Sequence, residues 1–259
     1  MKLFKKRKLG SSMGQGEGKA YDNPDFQSYV VEKTKTFINL IDSSFYRNTT
    51  VSKLAGLAFV CSPCDEFRNI VDIGGGAGID FFIATKLFGD DLNWEVLETE
   101  VMCKTASQAN FDRRLKFQTL GNFLQRQNVE DNFSLYSNSS LQYIPDPIET
   151  LGLLLLRRPS KVAILRTPFV LQGEEVDAFQ KSILSKNGPQ VESLIAPMTV
   201  VSNRVKIAKI ERLRKVLVGS GYEIVCENVQ SGGFTREARL RNLRKSIIKT
   251  MDVMAIRME

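Results

Sequence analysis

The run Ile70-Val71-Asp72-Ile73-Gly74-Gly75-Gly76-Ala77-Gly78 decides the reading of this chain. Apolar residues lead into an acid, and glycines then recur at every second position, Gly74, Gly76 and Gly78, with Gly75 between the first two. Ile79, Phe81 and Phe82 follow in a helix-like pattern. The pattern predicts a strand, a tight turn and a helix N-terminus, the place where α/β proteins hold nucleotide-like ligands. Glycine lets the backbone take positive φ and approach a ligand with no Cβ in the way. Spacing narrows the ligand. A dinucleotide fingerprint starting at Gly74 requires glycine where Ile79 stands.

What the chain has instead, Asp-x-Gly-x-Gly-x-Gly, resembles motif I of class I methyltransferases that use S-adenosylmethionine. The resemblance implies that Asp72 sits near the amino-acid end of that cofactor, within a loop of Gly74, Gly75, Gly76 and Gly78. Glu98 closes the next strand-like run, Trp94-Glu95-Val96-Leu97-Glu98, 20 residues beyond Gly78. That offset suits a carboxylate accepting both ribose hydroxyls; the bland alternative is a solvated strand end. Leu115 to Phe123 resembles the segment whose Gly-Asp-Phe ending touches adenine, with Asn122 in place of the Asp. An amide both donates and accepts, so Asn122 is either an adenine contact or an ordinary turn or cap residue.

Composition bounds the rest. A chain of 259 residues, 42% hydrophobic and 25% charged, buries a full core, and one α/β domain with an added cap is expected. No apolar run approaches the ~18 residues of a membrane span, and the basic N-terminus lacks the apolar stretch of a secretory signal, so a cytoplasmic location is expected. The net charge of +7 is concentrated: residues 1–16 carry +5 and residues 235–249 another +5, leaving the body net negative. Such patches meet nucleic acid, anionic surfaces or acidic partners, or are merely solvated faces. The solvated reading is the commoner one; for residues 1–8 the alternative is a weak contact with an anionic surface. Cys61 and Cys64 have metal-like spacing, but zinc needs four ligands, the chain has no His, and Cys103 and Cys226 stand singly. Reduced thiols and no metal are expected.

Along the chain, residues 1–20 read as a flexible basic tail and 21–66 as a helical cap. Within the cap, Asp22-Asn23-Pro24 starts a helix whose stripe runs through Phe26, Val30, Phe37, Leu40 and Ile41, and a second helix covers Val51–Val60. Residues 67–259 read as the main domain. Strands at 69–73, 93–98, 114–118, 132–137 and 161–166 alternate with helices, which implies a parallel sheet. Residues 167–209 show no clear strands and read as a lid or substrate-binding insertion. A helix at 209–219, a strand at 222–229 and a last strand near 251–258 complete the sheet. The basic segment between those strands has an amphipathic pattern, with its apolar side expected on the sheet.

Three further blocks occur in order: Ser139 to Pro147, Leu165-Arg166-Thr167-Pro168-Phe169, and Gln180 to Pro189. With the glycine loop and Trp94–Glu98 they resemble one family of bacterial methyltransferases, often encoded beside genes for lipopolysaccharide and other surface glycans. The resemblance covers roughly residues 21–230 and implies a Rossmann-like sheet of seven strands, mostly parallel, with the last antiparallel. It also implies S-adenosylmethionine as methyl donor and a small-molecule or glycan acceptor. One departure is Gln190, where the family often has a second glycine.

Ligands in open α/β sheets sit at the carboxyl ends of strands, which places Asn138 to Tyr143 and Arg166 at the cleft, Asn138 on the cofactor side. Gln142 and Tyr143 either orient an acceptor or pack at a helix start. Arg166 either grips an anionic acceptor, such as a sugar acid or phosphate, or makes a surface ion pair. Asp146, in Pro-Asp-Pro, is either a base or a helix N-cap. No His exists to serve as base, so a carboxylate or anionic tyrosine would have to take the acceptor's proton. The tetrapeptide of base- and glutamine-N-methylating enzymes is absent after strand four, where Asn138-Ser139-Ser140-Leu141 stands. The rival readings are an RNA methyltransferase using the basic patches and a non-catalytic cofactor-binding scaffold.

Overall fold

The computed structural model describes residues 20–62, 68–126, 132–183, 188–191, 200–230 and 246–258. The basic tail and most of the basic segment at 235–249 therefore lie outside the described residues, as does Cys64. Three helices come first: α1 (Pro24–Asn39), α2 (Ile41–Asn48) and α3 (Val51–Val60). The Asn23 side chain caps α1 by accepting from the Asp25 and Phe26 N–H groups, with Pro24 in the first turn where no N–H is needed. The chain breaks at Leu40, so the single stripe expected through Ile41 is split between two helices.

Strands and helices then alternate: β1 (Arg68–Ile73), α4 (Ile79–Phe88), β2 (Leu92–Leu97), α5 (Glu100–Ala109), β3 (Leu115–Gln118), α6 (Leu120–Gln125), β4 (Ser134–Asn138), α7 (Pro147–Leu155) and β5 (Lys161–Gln172). After them come β6 (Val176–Ile183), β7 (Val200–Ile207), α8 (Ile210–Gly219), β8 (Tyr222–Val229) and β9 (Ile247–Arg257). Seven strands form one sheet in the order β3-β2-β1-β4-β5-β9-β8. β1 to β5 pair in parallel, and β9 runs antiparallel to both β5 and β8. This is the Rossmann-like sheet of class I methyltransferases, with a helical cap on one side.

The alternation of side chains across the sheet builds two cores. Val71, Ile73, Leu135, Val162 and Ile164 face α7 and α8, where Leu151, Leu154, Leu213 and Leu217 close the layer. Ile70, Tyr136, Ala163 and Leu165 face the other way, against Phe37, Leu57 and Phe81 of the cap and α4. Asp72 lies in β1 between Val71 and Ile73 and so points toward the cap side.

The stretch 167–209 differs from expectation. β5 does not stop at Arg166 but runs to Gln172, with Thr167 to Gln172 paired to β9. The Arg-Thr-Pro sequence read as a strand end because proline removes a ladder donor; the ladder register instead shifts between Ile164 and Thr167, and the strand continues past it. β6 and β7 then pair over eight residues as a separate antiparallel ribbon. Its outer side is wet, with Phe179 half exposed, so the alternation that marks a strand is weak. No helix among the described residues is long and apolar enough to cross a membrane.

Candidate functional site

A cleft of about 410 Å³ opens at the carboxyl ends of β1, β2 and β4 and beside Arg166, at the ladder shift within β5. It lies by the neighbouring strands β1 and β4, whose onward connections run in opposite directions, to β2 on one side and to β5 on the other, the point at which such sheets bind ligands. Gly74, Gly76 and Gly78 take φ of 68°, 60° and 80°. A Cβ on Gly75 would lie 2.1 Å from Asp72 Oδ2, and one on Gly74 would lie 2.5 Å from Ser140 Cβ. At Gly76 the nearest atom is 4.0 Å away, on Val30. Gly74 and Gly75 are thus glycine because the protein itself approaches, whereas the space beside Gly76 belongs to the cleft. Gly78 caps α4 against Leu115 and does not line the cleft.

Glu98 follows β2 directly and faces this turn. Its Oε1 accepts from the Gly76 N–H at 3.1 Å and its Oε2 from the Thr99 N–H at 2.9 Å. Burial raises its pKa, against the pull of those two donors. Each oxygen keeps a free lone pair for a further donor.

Beneath the turn lies a buried network that joins the cap to the sheet. Lys53, from α3, reaches Asp80 Oδ1 at 2.7 Å. Asp80 Oδ2 also accepts from the Tyr136 hydroxyl at 3.0 Å and from Asn138 Nδ2 at 2.8 Å. Burial alone would raise the Asp80 pKa, but Lys53 and these donors hold it below the usual carboxylate range. Asp72 is 1% exposed, and among the described residues only the Trp94 indole N–H, 3.1 Å from Oδ2, reaches it. Burial, and next the charge of Asp80, push its pKa well up. Among the described residues Asp72 Oδ1 and Asn138 Oδ1 both lack a donor, and both residues line the cleft. Two acceptors without donors, one of them a carboxylate, beside an open glycine turn, fit a ligand that brings a cationic amino group.

A carboxyl whose pKa is raised on folding favours the folded chain below its unfolded value of ~3.9, and that contribution is lost as pH rises through the folded value. Asp72→Asn, which keeps an acceptor for Trp94, is therefore expected to raise Tm by a few degrees at pH 7, with the gain vanishing near pH 4. Thermal unfolding across pH checks this.

On the β4–β5 side, Ser139 and Arg166 are both left-handed without being glycine, with φ of 59° and 51°. Such backbone costs on the order of 1 kcal/mol and gathers at functional sites. At Arg166 it is held by Asp252 of β9, 3% exposed, whose Oδ1 accepts the Arg166 N–H at 2.8 Å. Asp252 also accepts from Ser52 Oγ of α3 at 2.7 Å and from Gln230 Nε2 at 2.9 Å. The Arg166 side chain meets no carboxylate among the described residues, whereas Arg126, Arg204, Arg212 and Arg214 each have one and Arg114 has two. A surface ion pair is thus not its role.

The other candidates separate. Tyr143 lines the cleft, donates to Gln180 Oε1 at 2.9 Å and packs on Tyr21, ring centroids 5.2 Å apart. Gln142 is buried beneath, its Nε2 donating to the Ser139 carbonyl, and is not part of the lining. Asn122 is exposed on α6, where its backbone N–H meets Thr119 Oγ1, and it too stands outside the lining. Asp146 caps α7. Gly188, Pro189 and Gln190 form part of the rim, and the Gln190 backbone exchanges two hydrogen bonds with the Asn48 side chain. Lys53, Asp80 and Tyr21 were missed by sequence reasoning. Asp80 alone left a signal, as an acid in the first turn after the glycine loop.

No protein-family model matches this sequence, and neither does any curated protein. Solved structures do match. The [4+2]-cyclase SpnF superposes with a TM-score of 0.50 at 10% identity, over 88% of this chain and 96% of that one. Magnesium protoporphyrin IX methyltransferase from Synechocystis PCC 6803, with bound S-adenosylmethionine, gives 0.49 at 13% identity, over 91% and 95%. The glycopeptide N-methyltransferase MtfA, complexed with sinefungin, gives 0.47 at 12%, over 82% and 88%. The fold is that of class I methyltransferases. Likeness at this level gives architecture only, and the reaction has to be argued from the site.

Proposed function

We propose that this chain is an S-adenosylmethionine-dependent methyltransferase acting on a small-molecule or glycan acceptor, with surface-polysaccharide synthesis the setting its motif order resembles. The observation that carries the proposal is the pairing of Glu98 with the open turn at Gly76, above the donorless oxygens of Asp72 and Asn138. Glu98 suits ribose hydroxyls; Asp72 and Asn138 suit the ammonium of the amino-acid end. When bound, the cofactor supplies an electrophilic methyl group on a cationic sulfur. The chain's own residues then hold the acceptor in line over β4 and β5, with water excluded by Tyr21, Tyr143 and the rim at 188–190.

Calorimetry with S-adenosylmethionine and S-adenosylhomocysteine tests this. One-to-one binding is expected, weakened at least tenfold by Glu98→Ala through the loss of charge-assisted hydrogen bonds. Absence of binding to either compound would overturn the reading. Binding with no methyl transfer to any glycan or metabolite fraction would favour a scaffold.

A further inference from the structure

We propose that the acceptor group is a carboxylate, held by Arg166 and methylated on oxygen to give a methyl ester; this rests on the methyltransferase reading above. Two independent observations point to it. The first is the construction around Arg166. Two strand spacings, roughly 10 Å, separate its strand from that of the glycine turn, on the side away from Glu98. A shift in the β5 ladder turns the residue into a left-handed conformation, and a buried carboxylate with three donors fixes it there. Bulges of this kind re-aim a side chain. Arg166 lines the cleft, and its guanidinium has no carboxylate of the protein to pair with among the described residues. A planar fork of donors in that position matches a planar oxyanion.

The second observation concerns protons. A hydroxyl or an ammonium acceptor must lose one to become or remain a methylated product. Asp72, whose Oδ1 is open among the described residues, lies in β1 at the glycine turn, two strands from Arg166, where it is assigned to the cofactor's ammonium; the titratable groups nearer Arg166 are already engaged. Asp80 is paired with Lys53 and accepts from Tyr136 and Asn138, which hold it ionised with a lowered pKa. Tyr143 donates to Gln180, and burial raises both its pKa and that of Tyr21, so neither phenol ionises near neutrality. Glu98 faces the opposite end, bound to two N–H groups. The chain has no His at all. A carboxylate needs none of these, because with a pKa of ~4 it is ionised before it binds. The balance is complete without a base. An oxygen lone pair forms the new O–CH3 bond, the electron pair of the S–CH3 bond stays on sulfur as the neutral thioether, and no proton moves.

The full chain, saturated with S-adenosylhomocysteine, is titrated with glucuronate, succinate and benzoate, with their amides, and with glucose 1-phosphate. At least one carboxylate is expected to bind about tenfold or more tightly than its amide. Arg166→Lys should keep part of that preference, and Arg166→Asn, which tolerates the left-handed backbone, should abolish it with the fold unchanged by circular dichroism. In parallel, methyl label moved from S-adenosylmethionine into an acidic metabolite fraction should be released as methanol by alkali. No carboxylate preference, a preference for the phosphate, or alkali-stable label overturns the inference. Failure of S-adenosylhomocysteine itself to bind defeats the methyltransferase reading instead.

Discussion

Gly76→Arg is expected to remove measurable cofactor binding while leaving the fold intact. A Cβ at this position meets only Val30, at 4.0 Å, and Gly76 lines the cleft, so a long side chain there is expected to project into the cleft rather than into the core. The residue's φ of 60° adds backbone strain of on the order of 1 kcal/mol, which a domain of this size tolerates. The contrast with Gly75 sharpens the test. A Cβ there strikes the Asp72 carboxylate at 2.1 Å, so Gly75→Val should lower Tm and impair binding together. Calorimetry and thermal unfolding on the two variants separate them. Wild-type affinity in Gly76→Arg would mean that the cofactor does not use this turn.

The largest effect on stability is expected at Lys53. Its ammonium and the Asp80 carboxylate are both nearly inaccessible to solvent, 8% and 7% exposed. Removing one member of a buried pair leaves the other charge uncompensated, at a cost of ~3–5 kcal/mol. Lys53→Met should therefore destabilise strongly in denaturant titration. Lys53→Met with Asp80→Asn should recover most of the loss, since Asn still serves Tyr136 and Asn138 while no charge remains buried. Additive losses in the double variant would show that Lys53 acts by packing and not by charge.

The glycine-turn half of the cleft was legible in the sequence because its parts are local. A strand, a turn and a helix start lie within one short run, and Glu98 ends the neighbouring strand, so spacing alone predicts their meeting. The cleft's other supports were illegible for the opposite reason. Lys53 meets Asp80 only through the docking of a cap helix whose own pattern is satisfied by Leu57 and Val60. Asp252 lies in the last strand and meets Arg166 across 86 residues. Asn122 and Gln142 were read from motif position, which gives the strand they follow but not the direction of the side chain. In the structure, a helix start at Thr119 leaves Asn122 exposed, and the short turn at Leu141–Tyr143 buries Gln142 under the rim. The insertion after Arg166 misled because a bulge and a proline together imitate a strand end.

The bonds to Asp252 carry a consequence for the order in which the molecule is assembled. One carboxylate ties Ser52 of the cap, Arg166 of the fifth strand and Gln230 after the eighth, and its partners lie up to 200 residues away along the chain. Synthesis runs from the N-terminus, and the early strands β1 to β5 can pair as they emerge. The glycine turn and Glu98 are then in place long before β9 inserts between β5 and β8. The nascent protein completes the glycine-turn side of the cleft first and the Arg166 side last.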